Sequence, residues 1–180
     1  NTIKTELNEH IKFYFRQPGS GESGWVSWTD SRYPKNAGTY EIKAVISGSS
    51  NYNNASITTD SNGNNATIIV SKAKLENAKV VQEDWVLGEN ATIPYVINNL
   101  GSGVVEYKYY LSDGVTPTTP ENNGASGIGS IPENAGEYII SACILQSDNY
   151  MGTTVYDYFQ VAKVNISENH SYIEIEDWNY

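Results

Sequence analysis

The sequence predicts an all-β protein built of two tandem β-sandwich modules, and three observations carry the prediction. First, Pro34-Lys35-Asn36-Ala37-Gly38-Thr39-Tyr40-Glu41-Ile42-Lys43-Ala44 returns as Pro132-Glu133-Asn134-Ala135-Gly136-Glu137-Tyr138-Ile139-Ile140-Ser141-Ala142, 98 positions on from Asn36 to Asn134. Asn51-Tyr52 returns at the same spacing as Asn149-Tyr150, and agreement held in register marks an internal repeat. Second, the residues after each glycine alternate. Tyr40, Ile42, Ala44 and Ile46 point one way, as do Tyr138, Ile140, Ala142 and Ile144, which is the period of a half-buried strand. Third, 14 Tyr and 4 Trp accompany abundant Thr, Val and Ile, a strand-favouring set. Asn, Gly and Ser interrupt it at the short intervals of a sandwich or barrel.

The Asn-Ala-Gly triplet before each strand reads as a tight corner. Glycine tolerates the positive φ that corners often need, and asparagine can bond its own backbone. Gly-x-Tyr at a strand start is similar to the tyrosine corner of immunoglobulin-like sandwiches, where the phenol bonds back to the turn. The cysteine that follows such a tyrosine in antibody domains is replaced here by Ile42 and Ile140. Apolar packing must then stand in for an inter-sheet disulfide, which requires a well-filled core. The structural motif residues are therefore Asn36, Gly38 and Tyr40 in the first copy and Asn134, Gly136 and Tyr138 in the second.

In chain order, Ile11-Lys12-Phe13-Tyr14-Phe15 alternates as a strand, with Val105-Glu106-Tyr107-Lys108-Tyr109 as its counterpart. Residues 16–24 form a Gly/Ser-rich loop, and Trp25 to Trp28 a short strand leading to the corner. Strand 39–47 runs into the Asn51-Tyr52 loop. Residues 66–73 close the first module, after a polar hairpin tip at Asp60 to Asn65. Val70-Ser71-Lys72 matches Val161-Ala162-Lys163 at a spacing of 91 rather than 98. Seven residues are thus extra in the first module's tip, a length change that loops tolerate. Lys74 to Val80 is a linker or the start of the next strand. Glu83-Asp84-Trp85 follows, with Ala91, Ile93, Tyr95 and Ile97 beyond it. Glu176-Asp177-Trp178 near the end repeats Glu83-Asp84-Trp85 at a spacing of 93. The division expected is 1–73 for a first module lacking its first strand, 74–164 for a second, and 165–180 for the start of a third. A division into 1–93 and 94–180 fits the repeat equally well.

The formal charge is −10, from 11 Lys plus Arg against 21 Asp plus Glu. That balance argues against nucleic acid as a partner, since binding there rests on clustered cations. No run reaches the length of a membrane helix, so membrane insertion is not expected. The chain reads as a fragment of something longer, with neither signal peptide nor initiator Met. One cysteine, Cys143, allows no disulfide within the chain and reads as a small half-buried hydrophobe.

With these residues laid out, the chain resembles the MBG-type and related bacterial immunoglobulin-like surface repeats. Their pattern has a Trp-x-x-Gly opening (Trp85 to Gly88), a Tyr-x-Tyr strand (Tyr107, Tyr109), and Pro-x-Asn-Ala-Gly-x-Tyr (Pro132 to Tyr138). An Asn-Tyr loop (Asn149, Tyr150) and a closing Val-x-Lys-Ala strand complete it, the last met by Val70 to Ala73 in the first module and by Val161 and Lys163 in the second, where Val164 stands in place of the alanine. The first module departs in carrying Phe13 and Phe15 for the tyrosines. The resemblance spans nearly the whole chain and implies a stalk or adhesive module of a secreted or wall-anchored protein. It brings no catalytic residues and no cofactor.

Candidate sites weaken on inspection. The Asp60-Ser61-Asn62-Gly63-Asn64 loop offers one carboxylate where Ca²⁺ takes six to eight oxygens. Glu83 with Asp84, adjacent on a strand, point to opposite faces and make a poor glycosidase pair. Glu174 and Glu176 share a face that reads as solvated. His10 and His170 stand without a second metal ligand nearby. Lys72 and Lys163 lack the sequence pattern of an isopeptide-forming lysine. Five Asn-x-Ser/Thr sequons, at Asn54, Asn65, Asn90, Asn165 and Asn169, are near chance in a chain this rich in Asn, Ser and Thr. Trp25 and Trp28 are the exception. They occur in the first module only and would offer flat faces for stacking on sugar rings, unless one fills the core and the other covers an edge. The expectation is a non-enzymatic extracellular segment. Its partners are its neighbouring domains, with a glycan or protein as the alternative ligand of Trp25 and Trp28.

Overall fold

The structure is a computed structural model in which residues 10–48, 50–112 and 127–165 are described. The expected start of a third module, with His170, Glu174, Glu176 and Trp178, lies outside them. The described residues form eleven strands and no α-helix. The fold is all-β. By contacts the chain divides into two compact units, residues 1–74 with 147–151, and 75–146 with 152–180.

Unit 1 contains β1 (Ile11–Arg16), β2 (Val26–Ser27), β3 (Gly38–Ile46), β4 (Ala55–Ile57) and β5 (Thr67–Val70), with one turn of 3-10 helix at Glu22–Gly24. They make one sheet, ordered β2-β1-β3-β4, in which β5 also pairs with β3. β1 runs antiparallel to β3, with Phe13 opposite Ala44 and Phe15 opposite Ile42. These side chains form an apolar face, and Lys12, Tyr14, Arg16, Glu41 and Lys43 occupy the other face by alternation. β4 and β5 lie end to end along the far edge of β3, at Ala44–Ile46 and Gly38–Glu41 respectively.

Unit 2 contains β6 (Lys79–Val81), β7 (Trp85–Val86), β8 (Tyr95–Ile97), β9 (Val105–Leu111), β10 (Gly136–Ile144) and β11 (Thr153–Ala162). Here two sheets face each other: β7-β11-β10-β9 and the pair β6-β8. Their inner faces enclose Val80, Trp85, Tyr109, Tyr138, Ile140, Ala142, Phe159 and Val161. Burial pushes the phenol pKa of Tyr109 up, with the neighbouring Tyr107 adding to it. Ile93, Tyr95 and Ile97 alternate along the sequence, yet it is Val96 that packs on the core, because its register partner across the ladder is Val80.

The two main sheets share one register. Tyr109 opposes Ile140 and Tyr107 opposes Ala142, as Phe15 and Phe13 oppose Ile42 and Ala44. β11 runs unbroken along the whole of β10, from Thr153 opposite Ile144 to Val161 opposite Gly136. In unit 1 the same edge of β3 is filled twice, by β4 and then β5. Residues 58–65 leave the ladder where unit 2 has only Tyr156, and Ala66 rejoins it by accepting the Ile42 N–H. The seven extra residues are therefore an excursion from the middle of a strand, not a longer connection between strands.

Two expectations change. β10 is not half-buried: Ile139 and Ser141 on its outward side are as buried as Ile140. The cause is its central place in the sheet. Ile139 lies between Tyr110 and Tyr158, and Ser141 between Lys108 and Tyr156. Gly127 also lies so close to Lys108 and Tyr110 that an added Cβ would come within 2.8 Å of the Tyr110 ring. The second change concerns unit 1. Its inward Ile42, Ala44 and Ile46 are only half-buried, since among the described residues no second sheet covers them.

Candidate functional site

The corner residues come first. Tyr40 and Tyr138 are both buried. The Tyr40 hydroxyl donates to the carbonyl of Asn36, and the Tyr138 hydroxyl to the carbonyl of Asn134, each at 2.9 Å. The acceptor in each is the peptide carbonyl at the head of the corner, four residues upstream. Gly38 has φ +150°, in the region that favours glycine. Gly136 does not adopt a positive φ. A Cβ there would sit 3.3 Å from the Tyr138 ring and 3.4 Å from Leu111, so closeness to the ring, not dihedral freedom, explains that glycine. The Asn36 side chain is used otherwise than expected: its Oδ1 accepts from Asn149 Nδ2 at 3.1 Å, while Asn149 Oδ1 accepts the Ala37 N–H at 2.8 Å. Tyr40→Phe and Tyr138→Phe are each expected to lower stability by about 1 kcal/mol, the net worth of one hydrogen bond. Urea denaturation of each variant measures this.

Trp25 and Trp28 fall on opposite faces of the unit 1 sheet. Positions three apart flanking a strand have opposite parity. Trp25 lies on the charged face, with the Arg16 guanidinium 4.3 Å and the Lys43 ammonium 4.4 Å from its ring centroid. Trp28 lies on the apolar face, edge-on to Phe15 at 5.8 Å, and is 40% exposed. They do not combine into one stacking platform.

The cations over Trp25 are themselves paired. Arg16 Nε donates to Glu41 Oε2 at 2.6 Å, and Arg16 Nη1 to the Gly21 carbonyl at 2.7 Å. Glu22 lies 3.6 Å from both Arg16 and Lys43. Two cations, two carboxylates and an indole thus close on one another. The arrangement clamps the residue 17–24 loop to the sheet, with cation–π contacts adding about 0.5–1 kcal/mol each at exposed positions. This cluster was not anticipated as a unit. The alternation that puts Arg16, Glu41 and Lys43 on one face was visible, but the partner loop was not.

On the apolar face a concavity of about 390 Å³ is lined by Phe15, Val26, Tyr33, Pro34 and Tyr40, with Arg16, Gln17, Ser20, Gly24, Lys35 and Asn36. The remaining candidates resolve into local structure. Asp60 Oδ1 accepts the backbone N–H groups of Asn62 and Asn64 at 2.8 and 3.0 Å, so the one carboxylate of the suspected calcium loop closes its own turn. These bonds hold its pKa below 3.8, and a carbon-detected NMR titration is expected to place the Asp60 midpoint below that value. Folding linkage follows the same sign: whatever stability the turn gains from the carboxylate is present above pH 3.8 and lost as the pH falls through the lowered pKa. Asp84 Oδ1 accepts the Gln160 N–H at 2.6 Å, a strand-capping bond, while Glu83 is exposed. Lys72 Nζ donates to the Ser147 carbonyl at 2.7 Å. His10 is exposed, and Cys143 is a half-buried free thiol. Among the described residues no three His, Cys, Asp or Glu side chains cluster as metal ligands, and no helix is long and apolar enough to cross a membrane.

No family model matches the chain, and no curated protein does.

Proposed function

We propose that the chain is a non-catalytic, extracellular segment of a bacterial surface or secreted protein, built of immunoglobulin-like modules that space or display neighbouring domains. The observation that supports this reading best is the paired corner. The Tyr40–Asn36 and Tyr138–Asn134 bonds have the same length and open strands of the same register. A chain that repeats one structural device in series is suited to adding length. Among the described carboxylates, Asp84 and Asp60 cap backbone N–H groups and Glu41 holds Arg16. The resemblance to MBG-type repeats and the acidic, cysteine-poor composition favour the same reading. A spacer must bear load. Pulled by its ends in a force experiment, the chain is expected to unfold unit 2 in a discrete step releasing about 300 Å of chain, at roughly 3.3–3.6 Å per residue. Smooth extension without such a step would remove the proposal.

A second reading, a glycan- or protein-binding module, is favoured by the exposure of Trp28 beside Phe13, which is 50% exposed on the same face. It predicts glycan-array binding that Trp28→Ala abolishes. Binding left intact by that substitution, or no binding at all, ends it.

A further inference from the structure

Unit 1 includes Ser147–Met151, a segment from far along the chain, and holds its main chain at three points. Ala73 pairs with Tyr150 in a parallel bridge. The Ala73 N–H donates to the Asn149 carbonyl, and the Met151 N–H to the Ala73 carbonyl, each at 2.8 Å. The Lys72 ammonium donates to the Ser147 carbonyl at 2.7 Å. The segment is already shaped, because the Ser147 N–H donates to the Tyr150 carbonyl at 3.0 Å and closes its own turn. A preformed turn loses less freedom on being held. All these bonds use the segment's backbone, which gives affinity without choosing a sequence.

The choice is made at Asn149. Its Oδ1 accepts the Ala37 N–H at 2.8 Å, and its Nδ2 donates to Asn36 Oδ1 at 3.1 Å. An asparagine amide accepts at one end and donates at the other, and unit 1 presents one partner to each. Leucine has the same size and neither group, so at position 149 it would leave the Ala37 N–H and Asn36 Oδ1 without these partners. The corner holds the reading groups in place. The Tyr40 hydroxyl donates to the Asn36 carbonyl at 2.9 Å, which fixes the backbone from which the Asn36 side chain projects and from which the Ala37 N–H follows.

We propose that this side of unit 1 is a recognition site for an asparagine-bearing turn, in which Asn36 and Ala37 select the asparagine while Lys72 and Ala73 take the main chain. Its occupant in this chain is Ser147–Met151. The two repeated motifs then have a joint meaning: Asn36-Ala37 of the Asn-Ala-Gly corner is the reader, and Asn149 of the Asn-Tyr dipeptide is what it reads. Tyr40 is a positioning residue for the reader as well as a strand anchor. A site that bonds both ends of an amide rejects a side chain lacking them, because its own polar groups are left unpaired. The recognition does not depend on what the protein displays or binds.

Amide hydrogen exchange of the full 180-residue chain, read by NMR, tests this. Asn149→Leu is expected to lower the protection of the Ala37, Ala73 and Met151 amides about tenfold, the fold-change that the net worth of one or two hydrogen bonds converts to. The Ile42 amide, bonded to the Ala66 carbonyl within the sheet, is expected to keep its protection. Asn36→Asp keeps an acceptor for Asn149 Nδ2 and makes it a charged, stronger one, so the three amides are expected to stay at or above their original protection. Adding Asn149→Asp to Asn36→Asp sets two carboxylates against each other and is expected to lower all three about tenfold. Packing alone would not separate these last two variants, which differ by one amide. Protection that survives Asn149→Leu, protection that survives the paired aspartates, a loss from Asn36→Asp alone, or a loss shared equally by Ile42 would each overturn the proposal.

Discussion

Phe159→Ala is expected to cost unit 2 about 3–5 kcal/mol, enough to unfold a domain at the lower end of the usual 5–15 kcal/mol range. Phe159 is 4% exposed and sits at the meeting point of three rings. Trp85 stacks on it at 5.1 Å and Tyr138 at 5.6 Å, while Tyr109 meets it edge-on at 5.9 Å. Each such pair adds about 0.5–1.5 kcal/mol beyond the area buried. The hole left by the ring is hard to close. Tyr138 is tethered by its hydroxyl to Asn134, and Trp85 is fixed by the β7–β11 ladder. β11 itself is paired with β10 along its length. A cavity that its walls cannot fill carries the upper part of the cost. Phe159→Leu, which keeps most of the volume, is expected to cost clearly less. Guanidinium unfolding followed by the NMR methyl signals of Ile140 and Ile144 measures both. A Phe159→Ala cost below about 1 kcal/mol would mean that this aromatic cluster does not hold the sandwich together.

What the sequence made legible was governed by short-range pattern, although the alternation of Ile93, Tyr95 and Ile97 misled, since Val96 packs on the core. The Asn-Ala-Gly corners, the alternation of Tyr40-Ile42-Ala44 and Tyr138-Ile140-Ala142, and the strand at 11–15 with its counterpart at 105–109 all follow from period two and a repeat. The change in spacing from 98 to 91 was equally legible as seven extra residues. Its placement was not. Nothing local says that residues 58–65 interrupt a strand, because β4 and β5 become one strand only by sharing the edge of β3. Burial escaped for the same reason. Ile139 and Ser141 sit at outward positions, yet they are buried because β10 is central, and centrality is a property of pairing between distant residues. The Trp25 clamp shows the limit most plainly. Trp25 and Trp28 read as a pair from their proximity in sequence. Their odd spacing already implied opposite faces, and only the folded loop brings Glu22 to Arg16 and Lys43.

The contrast between the units gives the second large effect. Ile140→Ala is expected to cost about 3–5 kcal/mol, the upper part of the range for isoleucine truncation, because Ile140 is 0% exposed and is enclosed on both flanks by β9 and β11. Ile42 holds the same register position, opposite Phe15 as Ile140 is opposite Tyr109, but it is only half-buried. Its truncation removes fewer contacts and leaves a dent open to water instead of a closed cavity. The expected cost of Ile42→Ala in dilute solution is about 1 kcal/mol, in proportion to the area removed. Hydrogen exchange of the β10 and β3 amides reads the two local stabilities in the same full-length chain. Equal costs at the two positions in dilute solution would mean that unit 1 already owns a covered core.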